Sequence, residues 1–264
     1  MATIGVIGGS GLYELFDKPS ERTVQTPYGE TSSRLAVSRV GANEVVFIPR
    51  FGKDHTLPPQ AVPYKANLWA LKSLGVERII AHTNVGSLSN LFNLGDVVLP
   101  DQVVNHTYRR EPTYFDQAPV THVSLTEPFC PGLRRAVIEI ASKSKRFHDG
   151  ATVVVIEGPH FATAAESRIY KNDGADLINM SLYPEVALAR ELGICYVNVG
   201  FVTDHDAGFD EGTRPVSHDD IVNVFRKKSG YLLATLKKIL EELPPLDRNC
   251  DCPKAPSRGT GGYR

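Results

Sequence analysis

Asp204 and Asp206 stand one residue apart in Val202-Thr203-Asp204-His205-Asp206, at the close of a run of mostly apolar residues. On an extended segment such positions face the same way. Two carboxylates so placed repel each other unless one is protonated, bound to a metal or hydrogen-bonded to a ligand. No further carboxylate or histidine stands at a recognised metal-ligand spacing. A metal is therefore not expected, and proton donation to a leaving group is the chemistry the pair suggests.

Other segments offer anion-binding chemistry. Ile4-Gly5-Val6-Ile7-Gly8-Gly9-Ser10-Gly11-Leu12 is a strand running into a glycine-rich turn, whose backbone N–H groups can cradle an anion. It is not a dinucleotide fingerprint, because Glu14 stands where a third glycine is needed and no acidic strand end follows at the usual distance. In Pro49-Arg50-Phe51-Gly52-Lys53-Asp54-His55, Arg50 directly follows an apolar strand and suits bidentate capture of phosphate. Lys53 and Asp54 read as a solvated charge run. His82-Thr83-Asn84-Val85-Gly86-Ser87 ends another strand with hydroxyls and amides, and Asn179-Met180-Ser181 precedes a helix opened by Pro184.

Short β-branched runs alternate with helix-length segments and must position these residues. Thr3 to Ile7, Val45 to Ile48, Arg78 to Thr83, Thr152 to Ile156 and Tyr196 to Thr203 read as strands. Pro63 to Leu74 reads as a helix with Tyr64, Leu68 and Leu71 on one face and Gly75 just past its end. Pro184 opens Glu185 to Leu192, and Gly193 closes it. One long helix is expected from Ser217 to Leu243, stopped by Pro244-Pro245. Alternating strands and helices imply an α/β fold around a central mixed sheet flanked by helices. Residues 1–245 read as one domain, and 246–264 as an irregular tail.

Composition narrows the partners. The 264 residues carry 29 Lys and Arg against 30 Asp and Glu, a formal net charge of -1 that supplies no basic field for nucleic acid. No apolar stretch is long enough to span a membrane, and Met1-Ala2-Thr3 lacks the basic flank of a signal peptide, so a cytoplasmic protein is expected. Four cysteines are too few for a disulfide scaffold. Cys130 and Cys195 sit in apolar stretches as buried thiols, and Cys250-Asp251-Cys252 suggests a redox pair or a tail clip. Without His or Cys neighbours in sequence, a zinc site is not expected there.

Several motifs occur in an order that resembles the trimeric purine nucleoside phosphorylases, most closely their methylthioadenosine phosphorylase branch. They are Gly8-Gly9-Ser10-Gly11, Thr26-Pro27-Tyr28-Gly29, Pro49-Arg50-Phe51-Gly52, Ala66-Asn67-Leu68-Trp69-Ala70-Leu71, Gly86-Ser87-Leu88, Glu157-Gly158-Pro159-His160-Phe161, Asn179-Met180-Ser181 and Pro184-Glu185-Val186. The resemblance spans roughly residues 3 to 243. It implies attack of inorganic phosphate, a co-substrate with no other cofactor needed, on the anomeric carbon of a purine nucleoside. Ser10, Arg50, Thr83 and Ser181 would hold the phosphate, with Phe51 and Asn84 at neighbouring positions of that site. Met180 would pack under the ribose, Phe161 would lie along the base, and Asp204 would face the purine N7, with Asp206 beside it. The family's transition state resembles an oxocarbenium ion, so an anion below the sugar and a proton donor at the base are both sensible.

Departures from the family pattern bear on substrate. Phe51 stands where a His usually follows the Arg, Asn84 replaces a small apolar residue, and Ala162-Thr163-Ala164 lacks the usual Arg of the base loop. His218 stands where the branch has a small apolar residue near the 5′ group. A polar imidazole there would suit a 5′-hydroxyl, because burying it unpaired costs about 1–3 kcal/mol; a role in capping the final helix is the competing reading. Asp204 and Asp206 match the branch that takes 6-aminopurines. His122 aligns with a residue that relatives lend to the neighbouring subunit, which implies a homotrimer or a dimer of trimers. The tail Cys-x-Cys resembles a motif linked to redox stability in some thermophilic relatives. Two other functions compete: a nucleosidase using water in place of phosphate, and a non-catalytic nucleoside-binding protein.

Overall fold

The apolar alternation of Thr3-Ile4-Gly5-Val6-Ile7-Gly8 gives a strand buried on both faces, β1 (Thr3–Gly8), with Ile7 in one core and Ile4 and Val6 in the other. The computed structural model describes residues 3–117, 120–207, 215–245 and 248–258. β1 pairs in parallel with β4 (Asn43–Pro49) on one side and β5 (Arg78–Ser87) on the other. Beyond β4 the sheet continues antiparallel through β3 (Leu35–Val40) to β2 (Ser20–Arg22).

The far side of β5 pairs in parallel along its whole length with β11 (Cys195–His205), which in turn pairs with β6 (Val97–Leu99) and through it with β8 (Phe147–Asp149). The near side of β5 forks. β1 covers only Arg78 to Ala81, and β10 (Leu177–Asn179) arrives antiparallel to cover Gly86 and Ser87, leading on to β9 (Thr152–Ile156) and β7 (Gln102–His106). Between those pairings, among the described residues, His82 to Val85 have no strand neighbour on that side, which leaves a gap inside the sheet.

Helices cover both faces. α1 (Tyr64–Ser73) and α4 (Leu182–Glu191) pack together over one core, where Leu68, Leu71, Val186 and Leu188 meet Ile48 and Ile79. On the other face, α2 (Pro131–Ala141), α5 (His218–Lys228) and α6 (Gly230–Glu242) bury Leu133, Val137, Phe225, Leu236 and Ile239 against Phe47, Ile80 and Phe201. α3 (Ala164–Asn172) closes its N-terminus with a capping box between Thr163 and Glu166. Among the described residues, no helix is long and apolar enough to cross a membrane.

Two expectations change. The single helix over Ser217 to Leu243 is two helices, broken at Ser229-Gly230, where Gly230 supplies the weak helix propensity for a new start. The break frees α5 to turn Ile221 toward the gap in the sheet, while Leu232, Leu236, Ile239 and Leu240 of α6 stay in the core. The segment after Pro245 holds a 3-10 turn at Cys252–Lys254 and a four-residue helix, α7 (Ala255–Arg258). Arg248 ties it to the body through Glu77 Oε1 and the Gly193 carbonyl, each at 2.6 Å.

Candidate active site

The fork beside β5 opens into a cavity of about 520 Å³, within the size range of small-molecule sites. Because β1 and β10 enter the gap from opposite ends, their terminal residues meet over the uncovered stretch of β5. Ser10 comes from the turn after β1, Thr83 and Asn84 from β5, and Asn179, Met180 and Ser181 from the end of β10; all of them line the cavity. Asn84 Nδ2 donates to the Ser10 carbonyl at 3.1 Å, and Asn179 Nδ2 reaches Thr83 Oγ1 at 3.4 Å. Ser181 occupies the N-cap of α4 without making a side-chain cap bond. Hydroxyls, amides and a helix N-terminus thus converge on one floor, an arrangement suited to an anion.

Gly9 and Gly11 are glycines for spatial reasons. A Cβ on Gly9 would stand 2.9 Å from the His82 carbonyl, and one on Gly11, at φ +89°, would strike the Phe225 ring of α5 at 2.5 Å.

Arg50 is not at the cavity surface. Its guanidinium lies fully buried just behind Gly9, with Nη1 3.3 Å from where a Gly9 Cβ would be. Nε and Nη2 donate to the two Glu185 carboxylate oxygens at 2.7 and 2.8 Å, and Nη1 donates to the His82 carbonyl at 2.9 Å. Burial alone would depress its pKa, but the Glu185 charge outweighs that and raises it. The Tyr196 hydroxyl, itself pushed well up by burial, donates to Glu185 Oε1 at 2.7 Å. Bidentate capture is therefore observed, with Glu185 in the role expected of phosphate. Glu185 stands in the motif Pro184-Glu185-Val186, but nothing in the sequence pairs it with Arg50.

Thr83 also has a hidden partner: its hydroxyl donates to Asn198 Oδ1 of β11 at 3.0 Å. His82, buried beneath, is held near a pKa of about 4 by desolvation, although the Val199 carbonyl opposes the shift.

At the opposite end, β11 carries Asp204 past a bulge. Val202 pairs with Val85 and Asp204 with Gly86, leaving Thr203 as the extra residue. In an unbroken ladder Asp204 would face Ser87 and point to the other side of the sheet. Asp204 and Asp206 both line the cavity, as their spacing predicts. Desolvation raises Asp204 to about 6, against a bond at 2.9 Å from the Thr203 hydroxyl that lowers it and with a smaller upward push from Asp206. Asp206 is also raised by burial, and it accepts a short hydrogen bond from Ser167 of α3.

Phe161, Met180 and Ala162 line the wall between floor and carboxylates. Thr163 instead turns its hydroxyl to the α3 capping box. The remaining wall was only partly foreseen. Phe51 stacks on His55 with centroids 4.8 Å apart, and His218 meets His55 edge-on at 5.3 Å, with Leu57 and Ile221 alongside. The Tyr13 hydroxyl lies 2.9 Å from His55 Nδ1, and burial together with His218 lowers the His55 pKa. His55 adopts φ +52°, a backbone conformation unusual for a residue with a side chain. Ser217, not His218, caps α5: its Oγ accepts from the Asp220 N–H at 3.2 Å. His122 is exposed and lies outside the cavity lining.

The cysteines depart from expectation. Cys130, Cys195, Cys250 and Cys252 come together with all four Sγ atoms within 4.8 Å of one another. The partners that Cys250-x-Cys252 lacks in sequence are supplied by the N-cap of α2 and the first residue of β11.

Known proteins agree with this architecture. A model of the phosphorylase superfamily matches residues 3–241. The S-methyl-5′-thioadenosine phosphorylase of Pyrococcus furiosus is 44% identical over 253 residues, covering 96% of each chain, and that of Thermofilum pendens is 42% identical over 255 residues with the same coverage. Among solved structures, methylthioadenosine phosphorylase from Schistosoma mansoni in complex with adenine superposes with a TM-score of 0.89 at 34% identity over 98% of each chain. A variant of adenosine/methylthioadenosine phosphorylase from the same organism, in complex with methylthioadenosine, does so with a TM-score of 0.89 at 33% identity over 99% of each chain. With a fold shared over nearly its whole length, the chain belongs to the phosphorylase superfamily, in the branch that holds the methylthioadenosine phosphorylases.

Proposed function

We propose that this protein is a purine nucleoside phosphorylase whose preferred substrate is S-methyl-5′-thioadenosine. A phosphate oxygen attacks the anomeric carbon as the bond from that carbon to the purine nitrogen breaks. The bonding electrons pass into the base, and Asp204 delivers a proton to N7, giving adenine and 5-methylthioribose 1-phosphate. Asp204 carries the reading: it is a carboxyl held near pKa 6 at one end of a cavity whose other end is a floor of hydroxyls and amides. A donor titrating close to neutrality is matched to this task, and general-acid assistance contributes about 10²- to 10⁴-fold. Ser10, Thr83, Asn84 and Ser181 hold the phosphate, and Arg50, its charge answered by Glu185, braces that floor from behind Gly9 through the His82 carbonyl. Met180 supports the sugar, while Phe161 and Ala162 flank the base.

The 5′-hydroxyl preference expected from His218 depended on a buried imidazole. His218 is exposed, so water can satisfy its nitrogens and no desolvation penalty falls on a thioether. Phe51, Leu57 and Ile221 give that end of the cavity apolar surface suited to a methylthio group. The names of the relatives favour the same substrate.

The test is kcat/KM for methylthioadenosine, adenosine, inosine and guanosine, each with saturating phosphate and with none. The proposal expects methylthioadenosine to lead and turnover to need phosphate. Base release without phosphate would instead mean a nucleosidase, and adenosine ahead of methylthioadenosine would restore the 5′-hydroxyl reading.

We further propose a homotrimer in which His122 reaches a neighbouring cavity. Supporting it, Val104 on the edge strand β7 and Tyr108 just after it leave large apolar side chains exposed. Light scattering of the purified protein tests it, and a monomer at micromolar concentration would refute it.

A further inference from the structure

All four cysteines of the chain converge on one spot, and none of them lines the active cavity. Cys130, Cys195 and Cys252 are almost wholly buried, and Cys250 is partly so. Their mutual spacing, none beyond 4.8 Å, brackets the separation of about 3.8 Å between sulfurs in a tetrahedral site with Zn–S bonds of about 2.3 Å. Spacing alone would equally suit two disulfides or four packed thiols. The charges around the cluster separate these cases.

Arg78 is 1% exposed and lines a second cavity together with Cys130 and Cys250. Its Nη1 donates to the Pro244 carbonyl at 2.6 Å, but Nε and Nη2 are buried with no hydrogen-bond partner among the described residues. Arg190, lining the same cavity, donates from Nη1 to Cys252 Sγ at 3.1 Å, and its Nε has no partner among the described residues. The Leu133 N–H at the start of α2 donates to Cys130 Sγ at 3.4 Å. The buried Arg78, the half-buried Arg190 and a helix N-terminus thus stand around the sulfurs, and although the exposed Glu127 and Asp251 line the same cavity, the N–H donors aimed at Cys130 Sγ and Cys252 Sγ favour sulfurs that carry negative charge. Thiols are neutral and so are disulfides. A tetrathiolate zinc centre carries net negative charge, answering Arg78 and Arg190, and N–H···S bonds are the outer contacts that such centres use.

We propose that Cys130, Cys195, Cys250 and Cys252 form a structural zinc site that pins the C-terminal segment to α2 and β11. Each thiol gives its proton to solvent as its sulfur bonds to Zn²⁺, and no electron is transferred. With four protein ligands the site is closed, so the metal has no open position for substrate and serves stability. The inference does not depend on which nucleoside the enzyme prefers.

The experiment uses the full chain, reduced and freed of metal, then titrated with Co²⁺ or Zn²⁺ alone. About one Co²⁺ per chain is expected, giving thiolate-to-cobalt charge-transfer absorption in the near ultraviolet and intense tetrahedral bands in the visible. Zn²⁺ should bleach that spectrum, protect all four thiols from a thiol reagent and raise Tm by about 5 °C or more. Cys252→Ser and Cys250→Ser, which alter only the tail, should lose the tetrathiolate spectrum and the zinc-dependent rise in Tm while keeping kcat at moderate temperature. A reduced protein that gives no tetrahedral cobalt spectrum would overturn the proposal. So would Cys252→Ser protein with an unchanged spectrum, or native protein whose cysteines are paired as disulfides and still refuse zinc after reduction.

Discussion

A side-chain carbon on Gly86 would stand 2.7 Å from Oδ1 of Asp204, so the strand facing the carboxylate leaves room for it by having no side chain there. Ile178 would close the other side at 3.0 Å, leaving an added methyl nowhere to go without moving the carboxyl group. Gly86→Ala should lower kcat by about 10²-fold through the displaced proton donor, with a stability loss of about 1–3 kcal/mol from overpacking. Steady-state kinetics beside a urea melt would read both, and wild-type kcat in a folded variant would contradict the assigned role of Asp204.

The rate should depend on pH with one sign. Asp204 is raised to about 6, and only its protonated form can donate, so kcat/KM should fall as pH rises through about 6. Asp206 pushes the value up, so Asp206→Asn should move the descending limb to lower pH. A limb that stays put in that variant would mean another group controls it.

The same shift appears in folding. A carboxyl that titrates at 3.8 unfolded and about 6 folded binds its proton more tightly in the native state. Stability therefore declines as pH rises between those values, and the loss persists at neutral pH. Asp204→Asn removes the titration. It should gain about 1–2 kcal/mol over wild type at pH 7, a figure reduced because one face of the group opens on the cavity, and little at pH 4. Denaturant melts at the two pH values measure the difference, while kcat should drop by about 10²- to 10⁴-fold.

Arg50 and Glu185, both buried, answer each other through two hydrogen bonds. Glu185→Gln leaves the guanidinium charge uncompensated and should cost about 3–5 kcal/mol, with a higher KM for phosphate as the arginine loses its anchor. If the melt and the phosphate KM both match wild type, the pair has no such part.

What the sequence made legible follows the reach of local signals. β1, β4, β5, β9 and β11 announced themselves as β-branched runs, and the strand ends carrying Ser10, Asp204 and Asp206 could be read from position alone, whereas Thr83, expected at the end of its strand, lies in the middle of β5. Three-residue strands such as β6, β8 and β10 are shorter than any periodicity, and they exist because their neighbours supply the hydrogen bonds. The bulge at Thr203 leaves no local trace, since it is a mismatch between two strands far apart in the chain. The pairing of Glu185, quoted only within Pro184-Glu185-Val186, and that of Asn198 left no local sign for the same reason: Arg50 and Thr83 each lie more than a hundred residues away. The thiol cluster is the sharpest case, with Cys130 and Cys195 read as ordinary core residues until the tail returned to meet them.

The forked sheet has a consequence for heat. Ser10, Thr83 and Asn179 hang on strands whose ladders continue into both cores, so the floor of the cavity cannot loosen by itself without unzipping the scaffold that defines the molecule. Loss of catalysis on warming should accordingly coincide with the melting of the whole protein instead of preceding it.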